Sequence, residues 1–63
     1  MKDWPELVGK TGEEAKEIIQ QENPNLNIQV LPEGSPVTRD LRMDRVRIFV
    51  NENGQVTSPP RIG

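Results

Sequence analysis

The sequence predicts an α+β domain, a single helix packed on a small mixed β-sheet, with an extended loop joining two parallel strands. Three observations lead there. One stretch carries a helix-start signal followed by apolar residues at helical spacing. Two later runs alternate apolar and polar residues, as half-buried strands do. The segment between those runs is long enough for the crossover that adjacent parallel strands require. The 63 residues form one domain, 1–63. A chain of this size buries only ~60% of its unfolded surface, so the core is thin.

Trp4-Pro5-Glu6-Leu7-Val8-Gly9 is a short lead, and the lone Trp reads as a packing anchor, because small cores rely on aromatic burial. Thr11-Gly12-Glu13-Glu14 fits a capping box, in which Thr11 and Glu14 satisfy each other's free amides. The helix is expected from Gly12 to Glu22, stopping ahead of Pro24, with Ala15, Ile18 and Ile19 as its buried stripe. Glu13, Glu14 and Glu17 suit the positive end of the helix dipole and read as a solvated face. A divalent cation wants converging oxygens instead of a line along one turn, so no metal site is assigned there.

Leu26 to Leu31 alternates, which puts Leu26, Ile28 and Val30 toward the helix. Arg45 to Val50 alternates too, with Val46, Ile48 and Val50 inward and Arg45, Arg47 and Phe49 on the opposite face. Asn53-Gly54 signals a type I′ hairpin turn, since both residues tolerate the positive φ it demands. Gln55-Val56-Thr57 is then expected to return antiparallel. Pro59-Pro60 ends the pairing and leaves Arg61-Ile62-Gly63 as a tail. The two parallel strands on either side of the long connection are read as the central ones.

That connection, Pro32 to Asp44, has neither a two-residue turn nor helical periodicity, and its two prolines disfavour a ladder. Connections this long without structure of their own are usually functional. In an extended chain Thr38 and Asp40 point one way and Arg39 the other. If the loop, about residues 34–44, folds over the face carrying Arg45 and Arg47, those guanidiniums meet Thr38 and Asp40. A planar fork of donors suits a carboxylate and a neighbouring oxygen. Exposed ion pairs contribute only ~0.2–1 kcal/mol each, too little to order the segment for stability alone. Rigidity itself is the sensible product, because a preorganised ligand loses less entropy on binding. The plain alternative, four solvated arginines at 39, 42, 45 and 47, stays open on the pattern alone.

Composition excludes much else. There is no Cys and no His, so disulfides, Cys redox chemistry, the usual zinc ligands and Ser-His or Cys-His catalysis are missing. The chain is therefore read as not an enzyme, with no cofactor and no metal. A net charge of −2 and a single Trp and Phe argue against nucleic acid and against an anionic membrane surface. No apolar run reaches a transmembrane length, and Met1-Lys2-Asp3 opens no signal peptide.

Trp4 to Gly9, Glu13 to Lys16, Leu31 to Thr38, Leu41-Arg42, Arg45-Val46-Arg47 and the closing Pro60-Arg61-Ile62-Gly63 together resemble the potato inhibitor I family of serine protease inhibitors. The likeness runs through the whole chain in order. It implies an inhibitor that presents Ser35, Pro36, Val37, Thr38, Arg39, Asp40, Leu41 and Arg42 to a protease as a substrate-like strand. It implies a scissile bond between Arg39 and Asp40, with Arg39 the primary specificity residue. Loop support would come from Arg45 and Arg47 on Thr38 and Asp40, and from Arg61 with the Gly63 carboxylate. Many similar sequences carry Met, Leu or Tyr in place of Arg39. An Arg there favours trypsin-like enzymes, whose specificity pocket holds a buried Asp, over chymotrypsin or subtilisin. The resemblance further implies a monomer, a role in plant defence, and secretion or storage in seed or vacuole. The alternative function is a non-inhibitory interaction or scaffold domain of the same fold.

Overall fold

The computed structural model describes residues 2–63. A single turn of 3-10 helix, Pro5–Leu7, precedes helix α1, Gly12–Glu22. Strands β1, Asn27–Pro32, β2, Arg45–Val50, and β3, Arg61–Ile62, follow. The sheet order is β1-β2-β3, with β1 parallel to β2 in the register Asn27↔Arg45 through Pro32↔Val50. β3 runs antiparallel to β2, pairing Val46↔Ile62 and Arg47↔Arg61.

The capping box starts α1 as its residue types dictate. The Thr11 hydroxyl accepts from the Glu14 amide at 3.1 Å, and a Glu14 carboxylate oxygen accepts from the Thr11 amide at 3.2 Å. The Thr11 amide, and then the Thr11 hydroxyl donating to the same oxygen at 3.1 Å, hold the Glu14 carboxyl below its ordinary pKa. The helix buries a narrow stripe of small and medium residues, Gly12, Ala15 and Ile19. Ile18, expected in that stripe, is 40% exposed. A three-stranded sheet is too narrow to cover a wider arc of the helix.

The helix meets the sheet most closely at Gly12. A Cβ there would lie 2.7 Å from Val30 Cγ1 and 2.9 Å from Val50 Cγ1, so only a glycine lets the first turn sit on both strands. Trp4, Leu7, Leu26, Ile28, Val46, Ile48 and Val56 complete the core with Ala15 and Ile19, and Val30, Val50 and Ile62 pack partly buried against it. Trp4 is 2% exposed and its indole N–H donates to Glu22 at 2.9 Å, which satisfies its polar edge as burial requires. Lys2 pairs with the same carboxylate at 3.3 Å, and both partners lower the Glu22 pKa.

Three further expectations need correction. Asn53 does not take positive φ; among the described residues only Gly9, Gly34 and Gly54 do. The turn spans three residues instead of two, with the Asn51 and Gln55 backbones paired at 2.9 Å and Gly54 alone in the left-handed region. The Asn51 side chain accepts from the Asn53 and Gln55 amides, which fixes this wider turn. Arg61-Ile62 is not a tail: after Pro59-Pro60 the chain re-enters the sheet as β3. Proline removes a donor but leaves an acceptor, and the Pro60 carbonyl takes the Trp4 amide at 2.9 Å. With β3 present, β2 alone is central and β1 is an edge. The return at 55–57 is real but minimal, with one bridge from Val56 to Val50 and another from Gln55 to Thr11.

Candidate functional site

The loop leaves β1 through a turn. The Glu33 amide still donates to Val50 at 2.8 Å, and the Ser35 amide and hydroxyl both reach the Pro32 carbonyl, at 3.2 and 2.6 Å. Gly34 takes φ +82°, which a turn of this kind demands at its third residue. The Pro-Glu-Gly-Ser composition signals this turn in the sequence. The loop re-enters β2 through a second, looser turn, in which the Arg45 amide donates to the Arg42 carbonyl at 3.4 Å.

Between those two anchors, residues 36–41 make no main-chain to main-chain hydrogen bond among the described residues. The chain there is held from beneath by side chains of β2. Arg47 grips Thr38 with both ends of its fork: one nitrogen donates to the carbonyl at 3.1 Å and the other to the hydroxyl at 2.8 Å. Arg45 donates to the Asp40 carbonyl at 2.6 Å, reaches the Asp40 carboxylate at 3.4 Å, and donates through Nε to the Gly63 main-chain oxygen at 2.8 Å. One guanidinium thus joins the loop to the residue that follows β3.

Arg45 is only 7% exposed. The alternation of β2 put it on the face away from the core but gave no sign of burial, because the loop that covers it lies elsewhere in the chain. A buried guanidinium is tolerated only when its donors are matched, and here acceptors surround it. Asp40 is held below the ordinary carboxylate pKa, first by the Thr38 hydroxyl and then, against a smaller desolvation effect, by its own backbone amide and the Arg45 charge.

The two arginines therefore place Thr38 and Asp40 on one side of the chain, with Arg39 between them. Arg39 is exposed, and its side chain makes no hydrogen bond or ion pair among the described residues. Arg42 is tied to Asp44 at 3.4 Å, an exposed pair. Val37, Leu41 and Met43 are 43%, 64% and 61% exposed, an apolar margin on either side of Arg39. Leu41 leans toward the chain end, its Cδ1 within 3.8 Å of where a Gly63 Cβ would stand. Arg61 lies beside Arg47 in the sheet register and makes no side-chain hydrogen bond to the loop among the described residues.

The chain is thus a one-helix α+β domain whose longest segment is an exposed loop braced from beneath by side chains of β2. Comparison with known sequences gives its family. Residues 1–63 match the family model of the potato inhibitor I family, and the chain belongs to that family of serine protease inhibitors, which are not themselves enzymes. It is 58% identical over 60 residues to the inhibitor of trypsin and Hageman factor from Cucurbita maxima, covering 95% of this chain and 88% of that protein. It is 52% identical over 62 residues to the Glu S. griseus protease inhibitor of Momordica charantia, covering 98% and 91%. The crystal structure of bitter gourd trypsin inhibitor superposes with a TM-score of 0.94 at 48% identity, over all of this chain and 93% of that one.

Proposed function

We propose that this chain inhibits trypsin-like serine proteases by offering Ser35 to Arg42 as a substrate-like strand, with Arg39-Asp40 as the bond placed in the enzyme's active site. The observation that carries this reading is the contrast between the two arginines of the loop. A bond presented to a protease needs a free carbonyl for the oxyanion hole and a side chain free to enter the specificity pocket. At Arg39 both are free among the described residues. At Arg42 the carbonyl accepts from the Arg45 amide and the guanidinium is paired with Asp44.

The residues before Arg39 pair with the enzyme backbone as an added strand, and Arg39 fills a pocket with a buried carboxylate. Attack on the Arg39 carbonyl would release the Asp40 amine in a simple substrate. Here the Asp40 carbonyl is tied to Arg45 and the Thr38 side to Arg47, so both ends stay in place and the amine re-attacks the acyl-enzyme before water does. Deacylation by the wrong nucleophile is slow because the leaving group does not leave. Each chain carries one such loop and so engages one protease.

Relatives named as an inhibitor of trypsin and Hageman factor and as a Glu S. griseus protease inhibitor support protease inhibition as the role of this scaffold. Replacing Arg39 is the test. Arg39→Leu is expected to move potency from trypsin toward chymotrypsin and subtilisin, because the trypsin pocket loses its ionic partner. Unchanged titration of trypsin by Arg39→Leu would contradict the assignment of the reactive bond. Rapid turnover of the unsubstituted chain as an ordinary trypsin substrate would favour a non-inhibitory scaffold.

A further inference from the structure

Beneath the loop lies an open cavity of about 470 Å³ whose lining includes Val37, Arg47, Phe49, Ser58, Arg61 and Asp3. Two of these carry the same charge and face each other. Arg47 and Arg61 are Cα partners in the antiparallel β2–β3 ladder, so their side chains leave the sheet on one face. Like charges directly opposite one another are unfavourable in a sheet. No carboxylate lies within ion-pair distance of either among the described residues. Arg47 commits two terminal nitrogens to Thr38, but a guanidinium has five N–H donors, so it keeps capacity toward the cavity. Arg61 makes no side-chain hydrogen bond among the described residues.

We propose that this cavity is a binding site for a small tetrahedral oxyanion, sulfate or phosphate in type, held between the Arg47 and Arg61 guanidiniums. The planar forks suit a doubly charged ligand with several acceptor oxygens, and the Ser58 side chain adds a hydroxyl in the same lining. Two acidic groups act as counterweights: the Gly63 carboxylate, at the cavity's edge, and Asp3, which bridges to Arg61 from the far side of β3 and therefore stands on the same face. Asp3 competes with the anion for Arg61, and removing its charge strengthens the site. The bound ion cancels the like-charge contact and fixes Arg47 directly under Thr38. The site does not depend on which protease the loop meets, and its failure would leave the inhibitor reading untouched.

The test is a titration of the full chain with sodium sulfate at constant ionic strength, balanced with sodium chloride and followed by amide and guanidinium NMR shifts. Saturable shifts are expected at Arg47, Ser58 and Arg61. Arg61→Gln should weaken sulfate about tenfold, the loss of one charge-assisted contact, and Asp3→Asn should tighten it. Both side chains are exposed, so the dispersion of each variant's spectrum establishes folding before titration. Shifts that chloride reproduces at matched ionic strength would overturn the site. So would sulfate binding unchanged in Arg61→Gln, or binding weakened in Asp3→Asn.

Discussion

Arg45→Ala is the substitution whose consequence is most closely set by the structure. The side chain makes two short bonds to main-chain oxygens, 2.6 Å to Asp40 and 2.8 Å to Gly63. Hydrogen bonds from charged donors contribute about 1.5–3 kcal/mol each when well formed, but the freed carbonyls lie at the surface and water partly replaces them. A net loss of about 2–3 kcal/mol follows. The 3.4 Å contact to the exposed Asp40 carboxylate is long and solvent-screened and adds nothing to that figure. The loss falls on the Asp40 side of the reactive bond, the end that must stay for resealing. Converted at tenfold per 1.4 kcal/mol, net cleavage by trypsin should accelerate by about 30-fold to 140-fold. The assay is time-resolved mass spectrometry of the inhibitor with catalytic trypsin, beside urea unfolding of the free protein. A cleavage rate and a midpoint both equal to those of the parent would refute the bracing role.

Other consequences are as specific. Gly12→Ala, usually favourable in a helix, should destabilise by about 1–3 kcal/mol, because the new methyl overlaps Val30 and Val50; thermal unfolding reads it. Thr11→Ala should cost about 1 kcal/mol through loss of the helix cap, measured the same way. The Asp40 pKa is lowered in the folded chain, so its contribution is present in full above the unfolded carboxylate pKa and is lost as pH falls through the lowered folded value. Amide exchange at Thr38 to Leu41 should therefore report a loosening loop only in that acidic window. Asp40→Asn should flatten the dependence.

The helix, the two parallel strands and the loop between them were legible because each rests on local chemistry: a capping box, two alternating runs, two prolines with no periodicity. What was not legible depends on distant partners. Arg61-Ile62 is too short to show a period, and its strand exists because the Lys2 and Arg45 carbonyls lie on either side to accept the Ile62 and Gly63 amides. Asn53-Gly54 looks like a tight turn until Asn51 offers its own side chain to the loop. Ile18 has the spacing of a core residue, but no third layer exists to cover it. At the site, alternation placed Arg45 and Arg47 on one face, yet nothing local to β2 reveals that Arg45 is sealed in by residues 40 and 63. The Pro32-to-Ser35 turn that aims the loop is local, and its Pro-Glu-Gly-Ser composition signals it.

Resealing tests the decoy-bond mechanism most directly. The chain is cut at Arg39-Asp40, purified, and incubated with catalytic trypsin. The predicted result is regrowth of the intact Arg39-Asp40 bond, with no cut after Arg42, because both sides of the break are still held by Arg45 and Arg47. Cleaved protein that never rejoins, or a primary cut at Arg42-Met43, would contradict it.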